Sequence, residues 1–118
     1  MPKEETQTFN SGTAQFYSVE NIAPPGALPK DGIRYKGTLR YDERTVGIKR
    51  YYTAMQSNTR VDALIRCPRR EEITPQDVTV LRGLQYRVVQ IQYPKEAVPP
   101  VMDISLERLG KLYDVRDS

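Results

Sequence analysis

The chain has 118 residues, 38% of them hydrophobic, with no His, no Trp and one Cys. That length fits one domain with a modest core; without His the usual general base and commonest metal ligand are missing, and the lone Cys67 allows neither an internal disulfide nor a zinc site. The formal net charge of +3 is unevenly spread, since residues 1–33 hold two basic and four acidic groups, residues 34–70 ten and three, and residues 71–118 six and eight; the basic middle suits a phosphate backbone, acidic surfaces of neighbouring subunits or a solvated face.

Residues 1–12 read as a flexible or docking arm, because Gln, Thr, Asn, Ser and Gly offer little to bury. No signal peptide is visible there, and no apolar run approaches the ~18 residues that cross a bilayer, so a soluble, intracellular protein without a membrane partner is expected. "TAQFYSVENIA" is the first strand, anchored by Phe16, Tyr17, Val19 and Ile22. "PPGALPKDG", Pro24 to Gly32, is a connector whose prolines and glycines prevent regular pairing. "IRYKGTLRY" alternates, with Tyr35, Gly37, Leu39 and Tyr41 on an inner face and Arg34, Lys36, Thr38 and Arg40 on a basic outer one.

Val46 to Gln56 and Arg60 to Arg66, separated by "SNT", read as a hairpin with Val61, Ala63 and Ile65 inward. Pro68 ends its second arm. "ITPQD" predicts one helical turn, with Thr74 as N-cap, Pro75 at the first position and Asp77 three residues after the Thr, before the β-rich "VTVL". In "GLQYRVVQIQY" the apolar positions change parity between Tyr86/Val88 and Val89/Ile91/Tyr93, which predicts a bulge near Val88–Val89. "EAVPP" is a stiff connector, "VMDISLERL" is the last strand with Ile104 and Leu106 inward, and residues 110–118 read as a second arm. About six short strands, Pro/Gly-rich joints and at most one helical turn imply an all-β domain, most simply a small barrel or sandwich spanning residues 1–118.

Catalytic constellations are not visible. There is no Gly-rich phosphate loop, no triad and no metal-ligand spacing. The adjacent pairs Asp42-Glu43 and Glu71-Glu72 would point to opposite faces of a strand, so neither forms an acid/base dyad. "RCPRR" could lower a thiol pKa, yet no His stands by as a base; a buried structural thiol is the simpler reading of Cys67. The expectation is a protein that is no enzyme and takes no cofactor and no metal. "RYKGTLRY" and "KRYYTA" interleave basic and aromatic residues as a single-strand-binding barrel would. In the first, however, Tyr35 and Tyr41 fall opposite the basic residues, and Tyr51 and Tyr52 straddle both faces, as one core ring and one edge or interface ring would.

The blocks "TVGIKRYYTA", "RVDALIRCPR", "ITPQDV", "QYRVVQIQYPKE" and "PPVMDISLERL", in that order between Arg44 and Leu109, resemble head-closure proteins of long-tailed bacteriophages of Gram-positive hosts, also called stoppers or head–tail joining proteins. The first forty residues match only through an opening strand followed by "PPGALP". The resemblance implies a small β-barrel in the virion, made in the host cytoplasm and placed at the head–tail interface. It implies a ring, sixfold or twelvefold, below the portal and adaptor rings. A long loop of each subunit would close the DNA channel after packaging, and the outer surface would receive a tail-completion or tail-terminator protein. The candidate loop lies within Asp42 to Asn58 and comprises Arg44, Thr45, Val46, Gly47, Ile48, Lys49, Arg50, Tyr51 and Tyr52, with Arg44, Lys49 and Arg50 near DNA phosphates and Gly47 as a hinge. The competing reading makes Val46 to Gln56 a central strand of the barrel. Candidate interface residues are Arg66, Arg69, Arg70, Pro99 and Pro100. Neighbouring functions on the same connector, such as tail completion, and a free single-strand-binding barrel are the alternatives.

Overall fold

A period of two between apolar and polar residues gives a strand one covered and one open face. In the computed structural model, which describes residues 9–44, 61–95 and 98–115, seven strands form. They are β1 (Gly12–Asn21), β2 (Asp31–Arg44), β3 (Ala63–Pro68), β4 (Val78–Leu81), β5 (Leu84–Gln92), β6 (Val101–Arg108) and β7 (Asp114–Val115). The first six are antiparallel neighbours in the order β1-β4-β5-β6-β3-β2, and β2 pairs back onto β1. The sheet therefore closes into a small all-β barrel, and closure satisfies backbone groups that an open sheet would leave at its edges.

The core follows from the alternation. Ala14 and Phe16 of β1, Tyr41 of β2, Ile65 and Cys67 of β3, Leu81 of β4, Tyr86 and Val88 of β5, and Met102, Ile104 and Leu106 of β6 form one buried cluster. Each of the larger aliphatic and aromatic members contributes roughly 1.5–3 kcal/mol through burial. Ala63 and Ile65 are buried as the pattern predicts, and so are Ile104 and Leu106.

Two bulges bend the sheet. In the β5–β6 ladder Val88 pairs with Leu106 and Gln90 with Ser105, so Val89 is the extra residue at the predicted place. In the β1–β2 ladder Phe16 pairs with Gly37 but Tyr17 pairs with Tyr35, which leaves Lys36 as an extra residue. This second bulge corrects the reading of β2. Tyr35, expected inward, is 54% exposed; its ring packs edge-on against Tyr17 and its hydroxyl lies 2.6 Å from that of Thr38. Lys36, expected outward, turns to the buried carboxylate of Asp77 at 2.8 Å and also donates to the Glu72 carbonyl.

The interactions expected of a helix cap at Thr74 form without a helix. Asp77 Oδ2 accepts from the Thr74 amide at 2.8 Å and the Asp77 amide donates to the Thr74 carbonyl at 3.1 Å, closing a turn from which β4 leaves directly. Among the described residues there is no helix. β4 and β5 are joined by the two-residue turn Arg82-Gly83, with φ of 51° and 79°, the positive pair that a tight hairpin of type I′ requires. The tail differs from the expected free arm. Gln85 holds the amide and carbonyl of Tyr113 at 2.9 Å each, and Asp114–Val115 add as a parallel strand to Gly32 and Ile33.

Strand direction sorts the connections by barrel end. The β2–β3 connection and the β4–β5 turn lie at one end, with the start of β1 and the end of β6. The β3–β4 and β5–β6 connections lie at the other.

Candidate functional site

At the first end, the last three residues of β2 pair with β3, as Asp42 with Arg66, Glu43 with Ile65 and Arg44 with Leu64. Residues 45–62 thus leave and re-enter the barrel at one place, from adjacent antiparallel strands. The barrel is closed without them, so the reading of Val46 to Gln56 as a central barrel strand is not needed to complete the sheet. Such neighbours need only about 2–5 connecting residues.

The root of this connection is tied from several sides. The Glu43 amide donates to Ser11 Oγ at 2.8 Å, and the Ser11 amide to the Tyr41 carbonyl at 2.9 Å. Arg82 donates to the Tyr41 hydroxyl at 2.8 Å and lies 3.5 Å from the Glu43 carboxylate. Arg82 occupies a left-handed conformation that most side chains avoid, and from it reaches back over the root. Arg44, the first candidate loop residue, is exposed and stands 3.9 Å from Asp42. On the return side the Asp62 amide donates to the Leu106 carbonyl at 2.7 Å, and Asp62 Oδ2 accepts from the Arg108 amide at 2.7 Å. Thr45, Val46, Gly47, Ile48, Lys49, Arg50, Tyr51 and Tyr52 lie outside the described residues.

At the second end the structure gathers four of the five candidate interface residues. The Arg69 amide donates to the Pro100 carbonyl at 3.1 Å, which brings Arg69 and Arg70 beside Pro99 and Pro100; all four are exposed. The Arg69 guanidinium lies 4.4 Å from the centre of the Tyr93 ring, and Val98 is 80% exposed on the same loop. Tyr93 and Val98 belong to this patch although the sequence marked neither for it; an exposed apolar residue beside "PP" was the available signal. Arg66 is placed differently. It forms a two-pronged ion pair with Asp103 at 2.7 and 2.9 Å, largely covered, and so braces β3 against β6.

Cys67 is fully buried, and desolvation, with the Asp103 carboxylate nearby, pushes its thiol up to about 12. It stays protonated at ordinary pH, as a structural thiol does. The basic groups of the β2 face are mostly engaged within the chain: Arg34 with Glu20 at 2.7 Å, Lys36 with Asp77, and Arg40 with the Phe9 carbonyl at 3.2 Å. Arg87 is likewise paired with Glu107 at 2.6 Å. Among the described residues no cluster of three or more His, Cys, Asp or Glu could hold a metal, and no helix is long and apolar enough to cross a membrane. No protein-family model matches the chain, and no curated protein matches it.

Proposed function

We propose that this chain is a structural head–tail connector subunit of a tailed bacteriophage, a non-enzymatic protein of the virion that assembles as a ring below the portal and adaptor rings. Its loop closes the channel on packaged double-stranded DNA, and its outer surface receives the tail-completion or tail-terminator protein. One observation carries the reading. The barrel closes without residues 45–62, yet holds both roots of that connection firmly at one end. A segment that the barrel closes without, on a base tied down by hydrogen bonds, suits a task performed outside the barrel.

Composition supports the task. Residues 45–60 include Lys49, Arg50 and Arg60 and no carboxylate, so copies arranged round a channel axis would concentrate positive charge at a DNA end without sequence readout. The exposed patch with Arg69, Arg70, Pro99 and Pro100, at the opposite end, suits contacts with other subunits of the assembly. Binding of single strands by an isolated barrel draws less support, because Arg34, Lys36 and Arg87 already hold carboxylates of their own chain.

Electron microscopy of lysates from phage lacking this gene tests the reading. Heads emptied of DNA beside complete, unattached tails are expected. Full, tailed particles would overturn it and direct attention to nucleic-acid binding in solution.

A further inference from the structure

The connector between β1 and β2 is a preformed apolar tip. Asn21 Oδ1 accepts from the amides of Ala23 and Lys30 at 3.0 Å each, and the Ile22 amide donates to the Lys30 carbonyl at 2.8 Å, so both roots of the loop are clasped. Beyond the clasp the Ala27 amide donates to the Pro24 carbonyl at 3.0 Å, with Pro25 second and Gly26 third at φ 86°. That is the residue order of a type II turn, and only a residue such as Gly adopts the third position without strain. The next residue, Leu28, is 87% exposed, between this turn and Pro29. A large apolar side chain on a loop with little freedom left to lose suits insertion into something else.

The same chain carries a recess of fitting size elsewhere. It holds about 150 Å³, with Phe16, Leu39 and Ile73 as its apolar lining, Gly37 and Thr38 of β2 beside them, and Lys36, Arg70 and Glu72 as its charged lining. A cavity of that order accepts a benzene ring, so it has room for the four carbons of a leucine side chain. The added Cβ of a residue at position 37 would meet nothing within 4 Å, so the space over Gly37 is open. The charges match as well. Among the described residues Arg70 has no carboxylate partner, its guanidinium reaching only the Arg69 carbonyl, and Asp31, three residues beyond Leu28, has no cationic partner.

We propose that the β1–β2 tip of one copy inserts Leu28 into the Gly37 recess of the next copy, with Asp31 opposite Arg70. Knob and recess are different surfaces of one chain, so the contact is head-to-tail; repeated by a rotation it closes a ring, and by a rotation that does not close it gives a filament. This contact rests on the ring assembly proposed above and supplies its subunit interface.

The test uses the full chain with Ala27→Cys, beside the intact Leu28, and Thr38→Cys together, treated with a short bis-maleimide; the native Cys67 is buried and does not compete. Covalent trimers and longer species are expected from the pair, no more than dimers from either single variant, and loss of the ladder when Gly37→Val fills the recess. A charge reversal, Asp31→Arg with Arg70→Asp, should restore the association that either change alone reduces several-fold in sedimentation. Dimers only, or a ladder indifferent to Gly37→Val, would overturn the contact. Rings of the natural chain in sedimentation without the ladder would overturn the contact alone and leave the connector reading standing. A ladder from a chain whose deletion leaves phage intact would support the contact and count against the connector reading.

Discussion

Cys67 shows what a single buried group does to this fold. Its thiol ionises at about 12 in the barrel against an ordinary value of 9.0, because burial penalises the thiolate. The unfolded chain therefore loses this proton first as pH rises, and the stability tied to the neutral thiol is whole below pH 9 and drains away toward pH 12. At pH 10.5 roughly 2 kcal/mol of it should be gone, at about 1.4 kcal/mol per unit. Denaturation of the natural chain and of Cys67→Ala at pH 8 and pH 10.5 checks this: the stability gap between them should narrow by about that amount, and an unchanged gap would refute the assignment. The position was legible in sequence, since an isolated Cys flanked by Arg66 and Pro68 in an inward-facing register has few other uses. Tyr35 was not. Tyr35, Gly37, Leu39 and Tyr41 keep an unbroken alternation, and a tyrosine accepts either face, so nothing in the pattern announced that Lys36 is an extra residue.

Among the elements, the contrast between the two bulges is instructive. The bulge at Val89 was legible because the apolar positions of β5 change parity there, and a strand with one buried face cannot change parity without an extra residue. The bulge at Lys36 serves a different purpose, turning a cation onto Asp77 and so tying β2 to the connection between β3 and β4. The docking of β7 was invisible, since two residues carry no period. Its fit depends on Gly32, where an added Cβ would press on the Ile22 side chain and lie 2.9 Å from the Asp114 carbonyl. Gly32→Ala should cost about 1–3 kcal/mol by overpacking and lower Tm by on the order of 10 °C, while exposing residues near Tyr113 to limited proteolysis. A variant as stable and as protease-resistant as the natural chain would show that β7 does not need this close approach.

For the whole molecule, periodicity foretold strands, most of their inward residues outside Tyr35, and the curvature at Val89, but not which strands are neighbours. Strand order depends on long-range pairing: β1 meets β4, and β3 meets β6, across stretches that carry no local signature of it. The closure of β2 onto β1 decides how residues 45–62 are read. The first arm of the expected hairpin, Val46 to Gln56, lies outside the described residues, and β3 finds its described partners in β2 and β6. The connection is thereby surplus to the barrel, and the function proposed here follows from that surplus.

The most direct test separates barrel from connection. Continuing the register of Arg44 with Leu64 by two positions would set 46 against 62, so replacing residues 47–61 by Asn-Gly should close the hairpin with a tight turn. The shortened chain should melt within a few degrees of the natural one and restore tail attachment in phage lacking the gene, while the heads fail to retain DNA until tails join. Heads that stay full at natural levels with the shortened chain would contradict the assignment of channel closure to this loop.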